Sequence, residues 1–324
     1  MSKMQKEILC TLGPSSLNKD FLKFTNKKIN LLRLNLSHIN ISKLESNIKF
    51  IRKYSNVPIC IDTEGAQIRT KVKKKKKLKK NDLIKIYKNS SQFKLYPHET
   101  YDQLKKNDIL EIGFNGLKIK ILKKKSDKIY SKVINSGILE NSKGVHLINR
   151  KIKLNFITKK DAQAIKIAKE LKIKYFALSF TDSYKDIIKF NRLLKNEKKI
   201  FKIETNNAVK DIDKILSGGQ LFLIDRGDLS KSTTIEKLPL IQRYILRKAR
   251  IKKKKVYVAT NFLESMLVTN TPTRGEVNDI YNTLELGAAG LVLAAETAIG
   301  RYPKECIIFI RKMINVFSKE ESNK

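Results

Sequence analysis

Residues 175–228 read YFALSFTDSYKDIIKFNRLLKNEKKIFKIETNNAVKDIDKILSGGQLFLIDRGD. Three short apolar runs punctuate this stretch: YFALSF (175–180), IFKIE (200–204) and LFLID (221–225). Between them lie SYKDIIKFNRLLK and AVKDIDKIL, where apolar residues recur three and four positions apart. Strand-like runs alternating with amphipathic helices form βαβ units on a parallel sheet. Working outward, the same reading finds EILCTL (7–12), INLLRLNLS (29–37), VPICID (57–62), VYVAT (256–260) and GLVLAAE (290–296), which makes eight runs. Helical patterns lie between or after them in ISKLESNIKFIRKY, KKDAQAIKIAKEL, EKLPLIQRYILRKAR, GEVNDIYNTLELG and PKECIIFIRKMINVF. Ser183 and Asn206–Asn207 stand at helix starts, Pro303 suits a first turn, and Gly287 reads as a stop. The expected fold class is α/β, a (β/α)₈ TIM barrel.

The third run departs from the alternation. About 80 residues follow it before the next helix, too many for a structureless connector in a compact fold. They hold short alternating runs (DLIKIYKN, FKLYP, GLKIKILKK, KIYSKVINSG) bounded by Asn, Asp, Ser and Gly. A small all-β lid domain inserted after strand 3 is expected, with residues 70–153 in the lid and 1–69 and 154–324 in the barrel. A chain of 324 residues, 41% hydrophobic, is long enough for both.

The opening MSKMQKEILC carries no secretory pattern, and no apolar run approaches the ~20 residues that span a bilayer. A soluble cytoplasmic protein is expected. Cys10, Cys60 and Cys306 fit no metal-binding spacing; Cys10 and Cys60 sit in apolar runs and read as buried thiols. The 69 Lys and Arg against 31 Asp and Glu leave a formal charge of +38, which raises the question of a nucleic-acid or membrane partner. Most of the excess is Lys spread among Ile and Asn, a compositional bias. The dense block KVKKKKKLKK (71–80) could hold phosphates but has no aromatic residue within it for base stacking, so a nucleic-acid partner is not expected.

Polar residues gather at the C-terminal ends of the strands, the face where barrel enzymes carry their chemistry. They are Arg33, Asn35, Ser37 and His38; Asp62 and Thr63; Lys202 and Glu204; Arg226 and Asp228; Thr260; and Glu296 with Thr297. Glu204 and Asp228 end neighbouring strands ~4.8 Å apart and can reach one hard divalent cation. Arg33, Arg69 and Lys202 could converge beside it. A cation next to basic groups suits a phosphorylated carboxylic acid. The backbone after Arg226–Gly227 opens a helix and could contact an anion. No GxxxxGK[ST] sequence is present, so this is not a P-loop site.

Nine segments then resemble, in order, the motifs of the pyruvate kinase family: ILCTLGPSS (8–16), LLRLNLSH (31–38), IDTEGAQIRT (61–70), SKGVHL (142–147), FKIET (201–205), DRGDL (225–229), VATNFLESM (258–266), PTRGEVNDI (272–280) and AAETAIGRYP (294–303). The resemblance implies phosphoryl transfer between phosphoenolpyruvate and ADP, giving pyruvate and ATP in glycolysis. It implies that Arg33 and Lys202 hold the moving phosphoryl group, that Glu204 and Asp228 bind Mg²⁺ or Mn²⁺, and that Thr260 lies beside the pyruvate moiety. The backbone at Gly227 and Asp228 would contact the substrate carboxylate. Asn35, Ser37, Asp62 and Thr63 would form a K⁺ site, and His38, Arg69 and Lys143 would face the nucleotide. The LESM–PTRGEVND stretch resembles the family's main subunit contact, which implies a homo-oligomer.

The sequence also departs from the family pattern. DTKGPEIRT is here DTEGAQIRT, so Glu64 replaces a Lys, and neutral Gln67 leaves the K⁺ requirement open. The lid's usual DDG is Phe114-Asn115-Gly116, KIEN ends in Thr205, and the LPG after KGVNL is replaced by Ile148-Asn149. SGET becomes Ala294-Ala295-Glu296-Thr297, without the serine hydroxyl associated with proton delivery. The family's C-terminal regulatory domain has no counterpart before Lys324, so sugar-phosphate effectors such as fructose bisphosphate are expected to have no effect. Two alternatives stand beside pyruvate kinase: a repurposed Mg-enolate barrel enzyme acting on another acceptor or 2-oxo acid, and a non-catalytic barrel binding anionic partners.

Overall fold

The computed structural model describes residues 5–113, 116–148, 150 and 152–323. Phe114, Asn115 and Asn149, singled out above, lie outside the described residues. The chain forms two compact units, one of residues 1–65 and 159–324 and one of residues 66–158. The division thus falls four residues before and five residues after the expected lid boundaries.

The first unit contains β1 (Glu7–Thr11), β2 (Leu31–Asn35) and β3 (Ile59–Asp62). The second contains β4 (Ile68–Val72), β5 (Lys76–Leu78), β6 (Leu83–Tyr87), β7 (Phe93–Tyr96), β8 (Ile109–Ile112), β9 (Leu117–Lys124), β10 (Lys128–Asn135), β11 (Gly137–Leu139) and β12 (Gly144–Leu147). The chain then returns to the first unit through β13 (Tyr175–Leu178), β14 (Lys198–Ile203), β15 (Leu221–Asp225), β16 (Lys255–Ala259) and β17 (Gly290–Leu293). The eight strands of the first unit close in the order β1-β17-β16-β15-β14-β13-β3-β2, every neighbouring pair parallel. This is the (β/α)₈ barrel.

Its interior follows the period-two alternation of strand side chains. Leu9, Leu31, Cys60, Ala177, Ile200, Leu223, Tyr257 and Val292 pack in one apolar cluster. Two residues further along the strands, on the same inward face, come Thr11, Arg33, Asp62, Ser179, Lys202 and Asp225, all buried. The barrel is therefore filled by an apolar layer capped at the C-terminal end by a charged one. All three cysteines are buried and unpaired, and burial pushes the Cys10 and Cys306 thiols up to about 12.

Helices form in all seven stretches where the apolar spacing places them, the AVKDIDKIL stretch falling to two, Asn206–Lys210 and Ile212–Ser217. Helix Tyr184–Leu193 is opened by Ser183 in a capping box with Asp186. Helix Leu238–Ile251 has Pro239 in its first turn, and Gly287 leaves helix Arg274–Glu285 for β17 at φ +95°. A further helix, Lys19–Thr25, follows β1 and is not anticipated by the sequence reading. It is capped by Asn18, whose side chain accepts the Phe21 N–H, and buries only Phe21, Leu22 and Thr25. Fewer than two turns give too little periodicity to detect.

In the second unit, seven strands form a sheet ordered β6-β10-β9-β8-β12-β4-β7, and β11 pairs with β5. Its own core runs from Ile68 through Phe93, Leu110, Ile119 and Ile129 to Val145. The unit is not purely β: helix Glu99–Gln103 follows Pro97, with Glu99 and Asp102 favoured in its first turn by the helix dipole.

The chain leaves the barrel beyond β3 through Glu64 and Gly65. The buried Asp161 carboxylate, on helix Lys159–Glu170, accepts the N–H groups of Glu64 (2.7 Å) and Gly65 (3.1 Å). Gly65 sits at φ +67°, and a Cβ there would lie 2.5 Å from the Ser179 carbonyl oxygen. Asp161→Ala strands two buried backbone donors and is expected to cost about 3 kcal/mol of stability, read as a lower denaturant midpoint at unchanged slope.

Candidate active site

At the C-terminal mouth of the barrel, Lys202 lies at the centre of a charged cluster. It is 4% exposed, too deep to be solvated by bulk water. Its Nζ lies 2.8 Å from Glu204 Oε1, 3.4 Å from Asp62 Oδ2 and 3.6 Å from Asp225 Oδ2, and donates to Ser179 Oγ at 3.1 Å. Ser179 Oγ in turn donates to Asp62 Oδ1 at 3.1 Å. Arg33 reaches the same Asp62 side chain from β2, with Nη1 at 3.2 Å, while its Nε donates to Thr11 Oγ1 at 3.0 Å. Asp62 thus joins the two basic side chains.

Burial works against the charge of Lys202, but Asp62, Glu204 and Asp225 outweigh it and hold the ammonium protonated far above its ordinary range. Arg33 is likewise held charged, burial being outweighed chiefly by Asp62 and Asp225. Glu204 moves the other way for a carboxyl group. Burial raises it to about 8, Lys202 opposes that rise, and Asp228 and Asp225 add to it.

Glu204, Asp225 and Asp228 each present a carboxylate oxygen within 4.8 Å of the others. Glu204 Oε2 accepts the Phe180 N–H at 2.5 Å, and Oε1 faces the Lys202 ammonium at 2.8 Å as its ion-pair partner. With all four carboxylates ionised, as a bound cation would make them, two basic groups would leave two negative charges uncompensated. A largely buried, all-oxygen set with an excess of two charges fits one hard divalent cation. Bound there, such a cation would favour the ionised form of Glu204 that burial disfavours.

Of the residues expected to hold the substrate, Thr260 ends β16 in the left-handed region (φ +75°), unusual for a β-branched residue. Its Oγ1 accepts the Gly227 N–H at 3.0 Å and donates to Ala259 O at 2.5 Å. Gly227 and Asp228 belong to the single turn Arg226–Leu229. Arg226 Nε donates to Thr260 O at 3.1 Å and its Nη1 meets Asp279 at 2.6 Å, so this arginine anchors the loop. Glu296 is also engaged locally, accepting the Ala294 N–H at 2.7 Å and the Leu263 N–H at 3.3 Å.

The proposed K⁺ ligands lie at the ends of adjacent strands, Asn35 opposite Asp62 in the β2/β3 register. Asn35 Oδ1 accepts the Ser37 N–H at 2.9 Å, and Thr63 Oγ1 accepts the Ser179 N–H at 3.0 Å. His38 is exposed and belongs to the first unit. Arg69 and Lys143 belong to the second, on neighbouring strand ends, where Arg69 Nη1 donates to Ser142 O at 3.2 Å and Lys143 pairs with Glu140 at 3.0 Å. Of the three basic groups expected to converge, Arg33 and Lys202 do so through Asp62.

Sequence reading did not single out Ser179 or Asp225. Each lies two positions beyond an inward-facing core residue, Ala177 and Leu223, so the alternation alone could have placed both in the charged layer. Glu64 pairs with Lys160 at 3.0 Å, 96 residues away, which no local pattern announces.

This arrangement, a (β/α)₈ barrel with a cation-binding type of carboxylate cluster beside a buried lysine and arginine, defines the class of scaffold. Residues 3–307 match the family model for the pyruvate kinase barrel domain. The chain belongs to the pyruvate kinase family. It is 31% identical to a pyruvate kinase of Bacillus licheniformis over 335 residues, covering 97% of this chain and 57% of the relative. It is also 31% identical to a pyruvate kinase of Geobacillus stearothermophilus over 325 residues, covering 94% and 55%. A Staphylococcus aureus pyruvate kinase is 29% identical over 326 residues, covering 95% and 56%. The chain spans a little over half the length of these relatives. Among the described residues, no helix is long and apolar enough to cross a membrane.

Proposed function

We propose that the chain transfers a phosphoryl group between phosphoenolpyruvate and ADP, yielding pyruvate and ATP. The observation that carries this reading is Lys202, buried and held protonated among Asp62, Glu204 and Asp225. A fixed ammonium in a low-dielectric site stabilises charge as it develops on a transferring phosphoryl group, with no reorganisation at the moment of reaction. Arg33, oriented by Asp62 and Thr11, adds a second fixed cation on the same side. Glu204 and Asp228, with Asp225, would hold Mg²⁺ or Mn²⁺. When bound, that ion would chelate substrate oxygens and neutralise charge on the enolate side. Thr260 and the Gly227–Asp228 backbone would border the carboxylate end of the substrate. Asn35, Ser37, Asp62 and Thr63 would supply a K⁺ site, and His38, Arg69 and Lys143 would face the nucleotide. Subunit contacts through the LESM–PTRGEVND stretch, residues 263–279, would make a homo-oligomer.

Glu64 does not favour a different acceptor chemistry, because its carboxylate is engaged by Lys160. At position 294 the side chain is Ala, so proton delivery to the enolate would fall to water. General acid catalysis contributes about 10²–10⁴-fold, which makes this a slower rather than an inactive enzyme. The test is pyruvate formation from phosphoenolpyruvate and ADP with Mg²⁺, with and without K⁺. Turnover that needs both ADP and the divalent ion is expected. Mg²⁺-dependent binding of phosphoenolpyruvate without pyruvate formation would replace this reading with a repurposed enolate site.

A further inference from the structure

The excess positive charge is concentrated in the second unit. Residues 66–158 hold 25 Lys and Arg against seven Asp and Glu, leaving +18 of the chain's +38 in under a third of its length. A compositional bias shared evenly along the chain would not produce this. The unit's ion-paired carboxylates take other basic groups: Glu140 takes Lys75 and Lys143, Asp102 takes Lys88, Glu111 takes Lys118, Asp127 takes Lys128 and Asp108 takes Arg150. Among the described residues, none of these pairs involves Lys73 or Lys94.

The lysine block 71–80 contains no aromatic residue, but the sheet brings aromatic side chains to it. β4 runs antiparallel to β7, with Lys71 directly opposite Lys94 and Arg69 opposite Tyr96. Lys71 Nζ lies 5.6 Å from the centre of the Tyr96 ring. Lys71, Lys73, Lys94, Tyr96 and His98 line a cavity of about 500 Å³ at this edge of the sheet. Like charges placed directly opposite on antiparallel strands repel, a repulsion that an anion lying between Lys71 and Lys94 would relieve. Three lysines that can follow a phosphate backbone, beside a half-buried tyrosine and an exposed histidine that can take a base face, combine the two elements of single-strand recognition. The cavity is larger than one phosphate requires and suits a nucleotide unit.

We propose that this edge of the second unit is a binding groove for single-stranded nucleic acid, with phosphates on Lys71, Lys73 and Lys94 and a base against Tyr96 and His98. This goes beyond phosphoryl transfer and does not depend on it.

The test is fluorescence anisotropy of a labelled oligouridylate with the intact chain over a salt series. Replacing Lys73 and Lys94 together by Gln is expected to reduce the slope of log affinity against log salt by about 1.4, roughly 0.7 for each phosphate no longer neutralised. The charge-matched control, Lys105→Gln with Lys106→Gln on exposed residues of the same unit, should leave the slope unchanged. Tyr96→Leu should weaken binding about tenfold while Tyr96→Phe keeps it, since stacking needs the ring and not the hydroxyl. If Tyr96→Leu lowers the unfolding midpoint, the exposed His98→Ala serves as the second test of stacking, with a loss of several-fold expected. Equal losses from both lysine pairs, no loss on removing the aromatic rings, or inorganic polyphosphate competing as well as the oligonucleotide per phosphate would each overturn the proposal in favour of plain electrostatic attraction.

Discussion

Lys202→Met is expected to lower kcat for pyruvate formation by about 10³-fold or more while leaving Mn²⁺ binding intact or tighter. The two halves of this result come from the same geometry. Lys202 is one of two basic groups in the charged layer of the barrel, and it touches three carboxylates. A preorganised charge at a phosphoryl-transfer site contributes on the order of 10²–10⁵-fold, and methionine keeps the volume without the charge. The same ammonium stands 2.8 Å from Glu204 Oε1, an oxygen that a bound cation would also draw on. Removing it takes away a competitor and adds to the negative excess. Metal affinity therefore moves opposite to turnover. A variant that merely misfolded would lose both, and one whose turnover survived would show that the phosphoryl group is stabilised elsewhere. Mn²⁺ titration followed by electron paramagnetic resonance, beside the coupled pyruvate assay, separates these outcomes. Some loss of stability is also expected, because Asp62 and Asp225 lose a buried partner.

The barrel could be read from the sequence because each strand is a self-contained signal, a short apolar run ending in a polar residue. The charged layer was partly legible for a related reason: Asp62 and Glu204 end such runs, and Arg33 and Lys202 interrupt them with a charge. What the reading lacked was the facing of each residue. Ser179 stands at a strand end without charge to mark it, and Asp225 was absorbed into an apolar run, yet both point inward beside Lys202. Glu296 carries a charge at a strand end but is taken up by two backbone N–H groups. Position at a strand end therefore did not distinguish a group facing the cavity from one holding a loop. The Glu64–Lys160 pair and the Asp161 clasp on Glu64 and Gly65 join segments nearly a hundred residues apart, and such contacts depend on the closed barrel. In the second unit, the alternating runs announced strands, but the order β6-β10-β9-β8-β12-β4-β7 follows from pairings far apart in sequence. That order also brings Tyr96 to the lysine block.

Glu204→Gln is expected to weaken Mn²⁺ binding by about 100-fold or more and to reduce turnover with it, the loss being partly recovered at high metal concentration. Three carboxylates lie within 4.8 Å of one another, but they are not equivalent. Glu204 is fully buried, pinned by Phe180 N–H through one oxygen, and presents the other to the Lys202 ammonium. Lys202 lies closer to Glu204, at 2.8 Å, than to Asp225, at 3.6 Å. Hard divalent ions bind anionic oxygen far better than an amide, so the glutamine, though of the same shape, cannot substitute. Raising Glu204 to about 8 by burial also gives the substitution a spectroscopic signature. In the metal-free protein, the carboxyl stretch of a protonated Glu204 should be visible by infrared difference near neutral pH, and adding Mn²⁺ should abolish it, because the bound ion requires the carboxylate. Equal metal affinity in Glu204→Gln and the parent chain would remove this cluster as the divalent site and transfer the search to Asp62 and its neighbours.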